Sequence, residues 1–153
     1  MELIVTIDNA AVARYNAHYK QLHPKSRKPA ISKPIPPSMN EFMVMGRAQR
    51  NSEKQRWKEF VSWLVADLGL SNTQINRCRV ELMYYFHDKR KRDYDNYSGK
   101  FVFDGLTASG LLVDDSYFVI ESLTIRAEVD RSNPRLVIKL EDCMCNVQCF
   151  AAA

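Results

Sequence analysis

The sequence predicts an α+β fold in which a small mixed or antiparallel sheet carries two main helices packed on it. Apolar residues alternate along several short segments and recur at helical spacing along two longer ones. These segments follow one another in the order strand, helix, strand, helix, strand, strand, which is typical of helices packed on a sheet. The chain has 153 residues, 46% hydrophobic and 26% charged, and is therefore expected to bury the core of a single domain.

The N-terminal part divides into a strand and a basic segment. MELIVTID is short and mostly apolar, and it predicts the strand. Residues 13–37 are polar, basic and rich in proline, so they predict an extended arm or long loop rather than a packed helix. We therefore expect an N-terminal strand and arm over residues 1–30, the main domain over 31–142 and a C-terminal tail over 143–153.

Two helices and three further strands are predicted downstream. The first helix begins at Ser52, which starts a capping box, and it ends at Gly69. Trp57 on its apolar face is expected to be a core residue. Alternation predicts a strand at 79–87, and helical spacing predicts the second helix at 97–109. Two more alternating segments, separated by the turn DRSNP, predict a C-terminal hairpin.

Charge and composition exclude several functional classes. The net charge of +4 is too small to identify a nucleic-acid-binding protein, although residues 89–92 form one dense basic block. No apolar run approaches the roughly 20 residues that span a membrane, and the N-terminus has no signal-peptide pattern. We therefore expect a cytoplasmic protein with reduced cysteines. Cys143, Cys145 and Cys149 lack the spacing and the fourth ligand typical of a zinc site.

The stretch RKRDYDN places two aspartates directly behind the basic block. If DYD continues the preceding strand, the carboxylates of Asp93 and Asp95 point the same way and suit Mg²⁺. A helix that begins near Asn96 would direct its positive end toward the same point. Asp114 and Asp115 form the other tight acidic cluster, and the chain would have to return along the second helix to bring them close. Alternatively, these aspartates cap a helix and a turn, and spacing alone does not decide.

Longer motifs carry a family resemblance. KRKRDYDN followed by KFVFDGLTASGLLVDDS resembles the signature of RusA-type Holliday junction resolvases, small endodeoxyribonucleases common in phages and prophages. IPPSMN resembles the P-P-S-x-N segment of the same family. The resemblance covers roughly residues 31–141 and is densest over 90–116. It implies a RusA-like nuclease domain over 31–142 that works as a symmetric homodimer.

The resemblance also implies roles for the acidic residues. It implies that Mg²⁺, with Mn²⁺ able to substitute, is bound by catalytic carboxylates at three positions: Asp93, Asp95 and Asp115. Asp114 and Asp104 are expected to be supporting carboxylates, although Asp104 is also spaced for a helical ion pair with Lys100.

Lys100 matches the family's catalytic lysine. The family pattern is D-x-D-N-L-x-K, whereas DNYSGK contains one extra residue. One residue turns a helical side chain by about 100°. We expect Ser98 and Gly99 to absorb the extra residue at the start of the helix.

The remaining expectations concern DNA. Lys89, Arg90, Lys91 and Arg92 are expected to bind backbone phosphates. Phe101 is expected in the core, whereas Phe103 is a candidate wedge in the junction's base stack. The implied function is Mg²⁺-dependent resolution of four-way junctions by paired symmetric nicks in recombination and repair. The alternatives are a nucleic-acid-binding module without catalysis, or a nuclease acting on another branched DNA.

Overall fold

The computed structural model describes residues 1–143, which form the predicted α+β fold. The sheet is mixed and has four strands. In chain order the elements are β1 (Glu2–Ile7), α1 (Asn9–Leu22), α2 (Met39–Met43), α3 (Arg47–Asp67), β2 (Cys78–Phe86), a short 3₁₀ helix (Tyr94–Asn96), α4 (Lys100–Ala108), β3 (Ile120–Val129) and β4 (Arg135–Asp142).

The strands lie in the order β1-β4-β2-β3. β4 runs antiparallel to both of its neighbours, whereas β3 is parallel to β2 and lies at one edge. The predicted hairpin between the last two strands is therefore wrong, because β2 lies between them. The turn after β3 crosses the end of β2, where the Asp130 N–H donates to the Phe86 carbonyl at 2.8 Å. Alternation predicts which side chains share a face, but it does not determine which strands are neighbours.

The core lies between one face of the sheet and the helices. Alternate residues of β2 and β4 are buried, as the alternation predicts, and in β1 Val5 and Ile7 are buried while Leu3 is half-buried. Trp57 is 3% exposed and Phe101 is 4% exposed, which confirms both as core residues. Within residues 1–143, no helix is both long enough and apolar enough to cross a membrane.

Helix α1 contradicts the prediction that the chain is extended from residue 13. The Asp8 carboxylate caps this helix by accepting the Ala11 N–H at 2.8 Å. Tyr15 is buried, and its ring centroid lies 5.0 Å from that of Phe60 in α3. The prolines of the segment begin only at Pro24, after the helix has ended, and therefore do not interrupt it.

The two predicted helices begin at different residues from those expected. α3 begins at Arg47, five residues before Ser52, with Gly46 at its N-cap. α4 begins at Lys100 rather than Tyr97, because the 3₁₀ helix and a short turn come first. The added first turn of α3 is mostly exposed, so apolar spacing does not define where that helix begins. Tyr97 packs on the core from the loop before α4, so its apolar character does not mark the start of that helix.

Strand β3 presents an apolar face that the helices leave uncovered. Its residues Leu123, Ile125, Ala127 and Val129 pair in register with the buried residues of β2 and so share their face of the sheet. Leu123 is nevertheless 41% exposed and Val129 43% exposed, and Ala127 is also exposed. We call these four residues the β3 surface.

Gly105 sets the distance between α3 and α4. A Cβ atom at this position would lie 2.5 Å from the Cβ of Val61 and 3.0 Å from the Lys58 carbonyl oxygen. We expect Gly105→Ala to lower the free energy of unfolding by about 1–3 kcal/mol, because overpacking forces the helices apart. Urea denaturation measures this change. Gly46→Ser is the control, since nothing lies within 4 Å of its added Cβ, and an unchanged midpoint for Gly105→Ala would contradict the prediction.

Candidate active site

The acidic pair lies on the loop between β2 and α4. β2 ends at Phe86, so the prediction that DYD continues this strand is wrong. Asp93 has an extended backbone, with φ −95° and ψ 139°, and Asp95 is the middle residue of the 3₁₀ helix. The polar run after Phe86 has no apolar residues to bury against the core and leaves the sheet. Both aspartates are exposed on one short loop.

Neighbouring segments hold this loop in place. The Tyr97 ring lies 5.0 Å from the Phe86 ring and 5.3 Å from the Tyr84 ring, which anchors the end of the loop on the core. The Asn96 side-chain oxygen accepts the Asn40 N–H at 3.3 Å. The IPPSMN segment, distant in sequence, is thereby placed beside the acidic pair.

Asp88 organises the basic block, and sequence reasoning missed it. Its carboxylate accepts the Arg90 N–H at 3.1 Å and contacts the Arg92 guanidinium at 2.7 Å. These two contacts lower the pKa of Asp88 to about 2. Because this pKa lies below its ordinary value, the stabilisation is present above about pH 4 and is lost as pH falls through about 2. The available signal was a lone carboxylate immediately before four cations.

The four cations of the block differ in exposure. The Arg92 side chain is only 13% exposed, and its guanidinium carbon lies 4.2 Å from the centroid of the Phe86 ring. Lys89, Arg90 and Lys91 are exposed. Three cations therefore face solvent beside the acidic pair, while Arg92 binds the protein itself.

Asp93 lines two cavities. One has a volume of about 410 Å³ and is rimmed by the cations Lys33, Arg90 and Lys91. The other, of about 320 Å³, is lined by aromatic rings that include Tyr84 and Phe86, and by Ala127 and Val129 of the β3 surface. Asp93 thus borders both a basic groove and an aromatic recess that reaches the sheet edge.

Lys100 is the first residue of α4. Gly99 precedes it with φ +85°, a left-handed conformation that favours glycine, and this residue turns the chain into the helix. The Lys100 ammonium lies 5.7 Å from the centroid of the Phe42 ring, and its side chain borders a shallow recess together with Asn96. The lysine is therefore next to the acidic loop at its C-terminal end.

Two other predicted residues lie on α4. Asp104 is exposed, and within residues 1–143 no ion pair joins it to Lys100. Phe103 is half-buried and packs against the edge of the core. Part of its ring remains accessible close to Gly99.

The second acidic cluster lies at the opposite end of β2. The Val113 N–H donates to the Ile75 carbonyl at 3.2 Å, and the Cys78 N–H donates to the Val119 carbonyl at 2.8 Å. These contacts hold the intervening Asp114–Asp115 turn beside the first residue of the strand. The nearby Ser116 side chain and the backbone N–H groups of Asp115 and Ser116 lower the pKa of Asp114.

Asp93 and Asp95 therefore lie on one short loop, whereas Asp115 lies at the other end of β2. β2 has nine residues and spans roughly 25 Å between the two acidic clusters. Among the described residues of a single chain, no three His, Cys, Asp or Glu side chains are grouped to hold a metal ion. Cys145 and Cys149 lie outside the described residues.

Comparison with known proteins identifies the family. A search of curated proteins finds no match. The model of one protein family, described as endodeoxyribonuclease RusA, matches residues 5–141, which is nearly the whole chain. This span includes the end of β1, both acidic clusters and the basic block. The chain therefore belongs to the RusA endodeoxyribonuclease family.

Proposed function

We propose that this protein is a Mg²⁺-dependent endonuclease that resolves four-way DNA junctions by paired symmetric nicks. The observation that carries the proposal is the exposed pair Asp93–Asp95 on one fixed loop, where Asp93 borders both a basic groove and an aromatic recess. Bare carboxylates repel DNA, so adjacent cations are required for a polyanion to approach them. Membership of the RusA family supports the same reaction.

The donor set fits a hard divalent cation. Exposed carboxylate oxygens are the ligands that Mg²⁺ and Mn²⁺ share, and no thiol or imidazole is needed. We assign the ligand role to Asp93, Asp95 and Asp115, with Asp114 beside them. When bound, Mg²⁺ supplies a water of lowered pKa and polarises the scissile phosphate.

The other site residues handle the charge and shape of the DNA. Lys89, Arg90 and Lys91 bind the phosphates that flank the cut and orient the strand, whereas Arg92 fixes the loop. The Lys100 ammonium stabilises negative charge that develops on the phosphate and the leaving oxygen. The accessible part of the Phe103 ring enters the opened base stack at the junction.

A homodimer formed through the β3 surface accounts for the uncovered apolar edge. A strand at the edge of a sheet with an exposed apolar face is normally covered by a partner. Tyr117 and Phe118, which are 79% and 72% exposed, lie just before this strand and enlarge the apolar area. A two-fold symmetric pair of sites suits a substrate with near two-fold symmetry.

This dimer also brings the acidic clusters together. The Asp114–Asp115 turn lies near the Ile120 end of β3, and Asp93 lines the recess at the Val129 end. A two-fold axis perpendicular to β3 reverses the strand, so that the Ile120 end of one protomer meets the Val129 end of its partner. Each site would then combine Asp93 and Asp95 of one protomer with the partner's Asp115.

The test of the proposed function is a comparison of substrates. Wild-type protein is incubated with a four-way junction, a flap and a linear duplex, in Mg²⁺, in Mn²⁺ and in EDTA. We expect symmetric nicks in the junction with either metal, little cleavage of the linear duplex and none in EDTA. Binding of the junction without cleavage would overturn the nuclease proposal in favour of a binding module. Preferential cleavage of the flap would refute the proposal that the four-way junction is the substrate.

Lys100 has a separate test. We expect Lys100→Ala to cut the junction at least about tenfold more slowly at saturating protein, because one charge stabilising the transition state is lost. Lys139→Ala is a matched control, since that lysine lies on the far side of the sheet, 3.1 Å from Glu2. Single-turnover rates separate this effect from binding. Full activity of Lys100→Ala would place the ammonium outside the site.

A further inference from the structure

We propose that the segment after α1, together with Arg56 of α3, forms a second contact for DNA, a basic track that holds a duplex arm leaving the cleavage site. This inference rests on the proposed function and extends it to residues that neither the acidic motifs nor the basic block include. The track consists of Lys28, Lys33 and Arg56. Its chemistry suits a phosphate backbone, and it does not depend on base sequence.

The segment is fixed in place, although it contains no regular secondary structure. The side-chain amide of Asn16 in α1 donates to the Ile31 carbonyl at 2.8 Å, and its oxygen accepts the Ile31 N–H at 3.1 Å. Ile31 itself is 3% exposed, and the Lys20 ammonium donates to the Ser26 carbonyl at 2.6 Å. The cations of the segment therefore extend from an ordered backbone, which lowers the entropy cost of binding.

The basic track is continuous with the groove at the acidic pair. A cavity of about 250 Å³ is lined by Lys28, Lys33 and Arg56. Lys33 also lines the 410 Å³ groove, together with Arg90 and Lys91. One lysine thus joins the two depressions, and a strand bound in the groove beside Asp93 would reach the track along this shared side chain.

The carboxylates nearby do not cancel the positive charge. Glu53 lies 3.3 Å from Arg56, and Glu41 lies 3.9 Å from Lys33. Both pairs involve solvent-accessible cations, 48% and 56% exposed, and pairs of this kind are worth little in water. The 250 Å³ cavity is lined by three cations and one carboxylate, so its net charge is positive. The attraction of a phosphate to the cations therefore exceeds its repulsion by the carboxylate.

The test is the salt dependence of junction binding. It is measured with proteins that also carry Asp95→Asn, which prevents cleavage. We expect K28A/K33A/R56A to weaken binding at least about tenfold at 0.1 M salt and to reduce the slope of log K against log salt by about 2–3. The control is R79A/R126A/K139A, which removes three cations from the opposite face of the sheet. Equal slopes and equal affinities for the two triple variants would refute the proposal that the basic track binds DNA.

Arm length gives an independent readout. With the track intact, affinity should rise as the junction arms lengthen from about 8 to about 20 base pairs, because more phosphates reach the cations. The K28A/K33A/R56A protein should lose most of this increase, and an equal increase in both proteins would overturn the proposal. If the parent protein does not bind the junction at all, the proposed function has failed. If the parent protein binds the junction and K28A/K33A/R56A does not change that binding, only the inference about the track is refuted.

Discussion

Asp95→Asn should abolish cleavage of a four-way junction while junction binding persists or becomes tighter. The substitution removes a charged ligand oxygen from the acidic pair without changing side-chain size. Losing about 4 kcal/mol of transition-state stabilisation slows cleavage on the order of a thousandfold. Binding is retained because the exposed cations still meet the phosphates, and one repelling charge has gone. Gel-based cleavage and fluorescence anisotropy measure the two quantities on the same junction.

Asp67→Asn is the matched control for this experiment. It makes the same chemical change at the end of α3, where the Asp67 carboxylate lies 3.4 Å from the Arg14 guanidinium. We expect wild-type cleavage and binding from this variant. If Asp95→Asn cuts at the wild-type rate, Asp95 is not a ligand. Loss of both binding and cleavage would show that Asp95 supports the loop rather than the chemistry.

Mixing two inactive variants should restore activity. If each site combines the acidic pair of one protomer with the partner's Asp115, a heterodimer of Asp95→Asn and Asp115→Asn carries both substitutions in one site and neither in the other. The heterodimer should therefore nick one strand, whereas each homodimer should nick none. The variants are co-expressed with different affinity tags, purified through both tags and assayed on a junction with labelled strands.

A second heterodimer controls for simple exchange of subunits. Asp93→Asn combined with Asp95→Asn leaves one substitution in each site under the same arrangement, so we expect no recovery. Absence of activity in the Asp95→Asn and Asp115→Asn heterodimer would show that the acidic clusters do not meet across the dimer. A protein that sediments as a monomer while cutting junctions would also refute the arrangement.

The sequence predicts those features of the fold that depend on local pattern. Burial along β2 follows from strict alternation, and α3 follows from apolar spacing around Trp57. The hairpin prediction fails because β2 separates β3 from β4, and alternation contains no information on neighbours. α1 escapes prediction because the prolines that begin at Pro24 dominate the composition of residues 13–37.

The candidate site divides in the same way. Asp93, Asp95 and the basic block are adjacent in sequence, so their proximity in the structure could be predicted. The role of Asp88 could not, because a carboxylate in a charged run does not reveal that it holds Arg92. The position of Asp115 depends on where the chain goes after α4, which only the packing of the turn beside Ile75 determines.

The place of β4 in the sheet has a consequence for biosynthesis. Within residues 1–143, β1 pairs with β4 alone, and one edge of β2 also pairs with β4. Strand β1 can therefore form its full pairing only after residue 142 has been made. A nascent chain halted before Arg135 would expose two unfilled strand edges to chaperones and proteases. The sheet therefore cannot close until β4 has been synthesised.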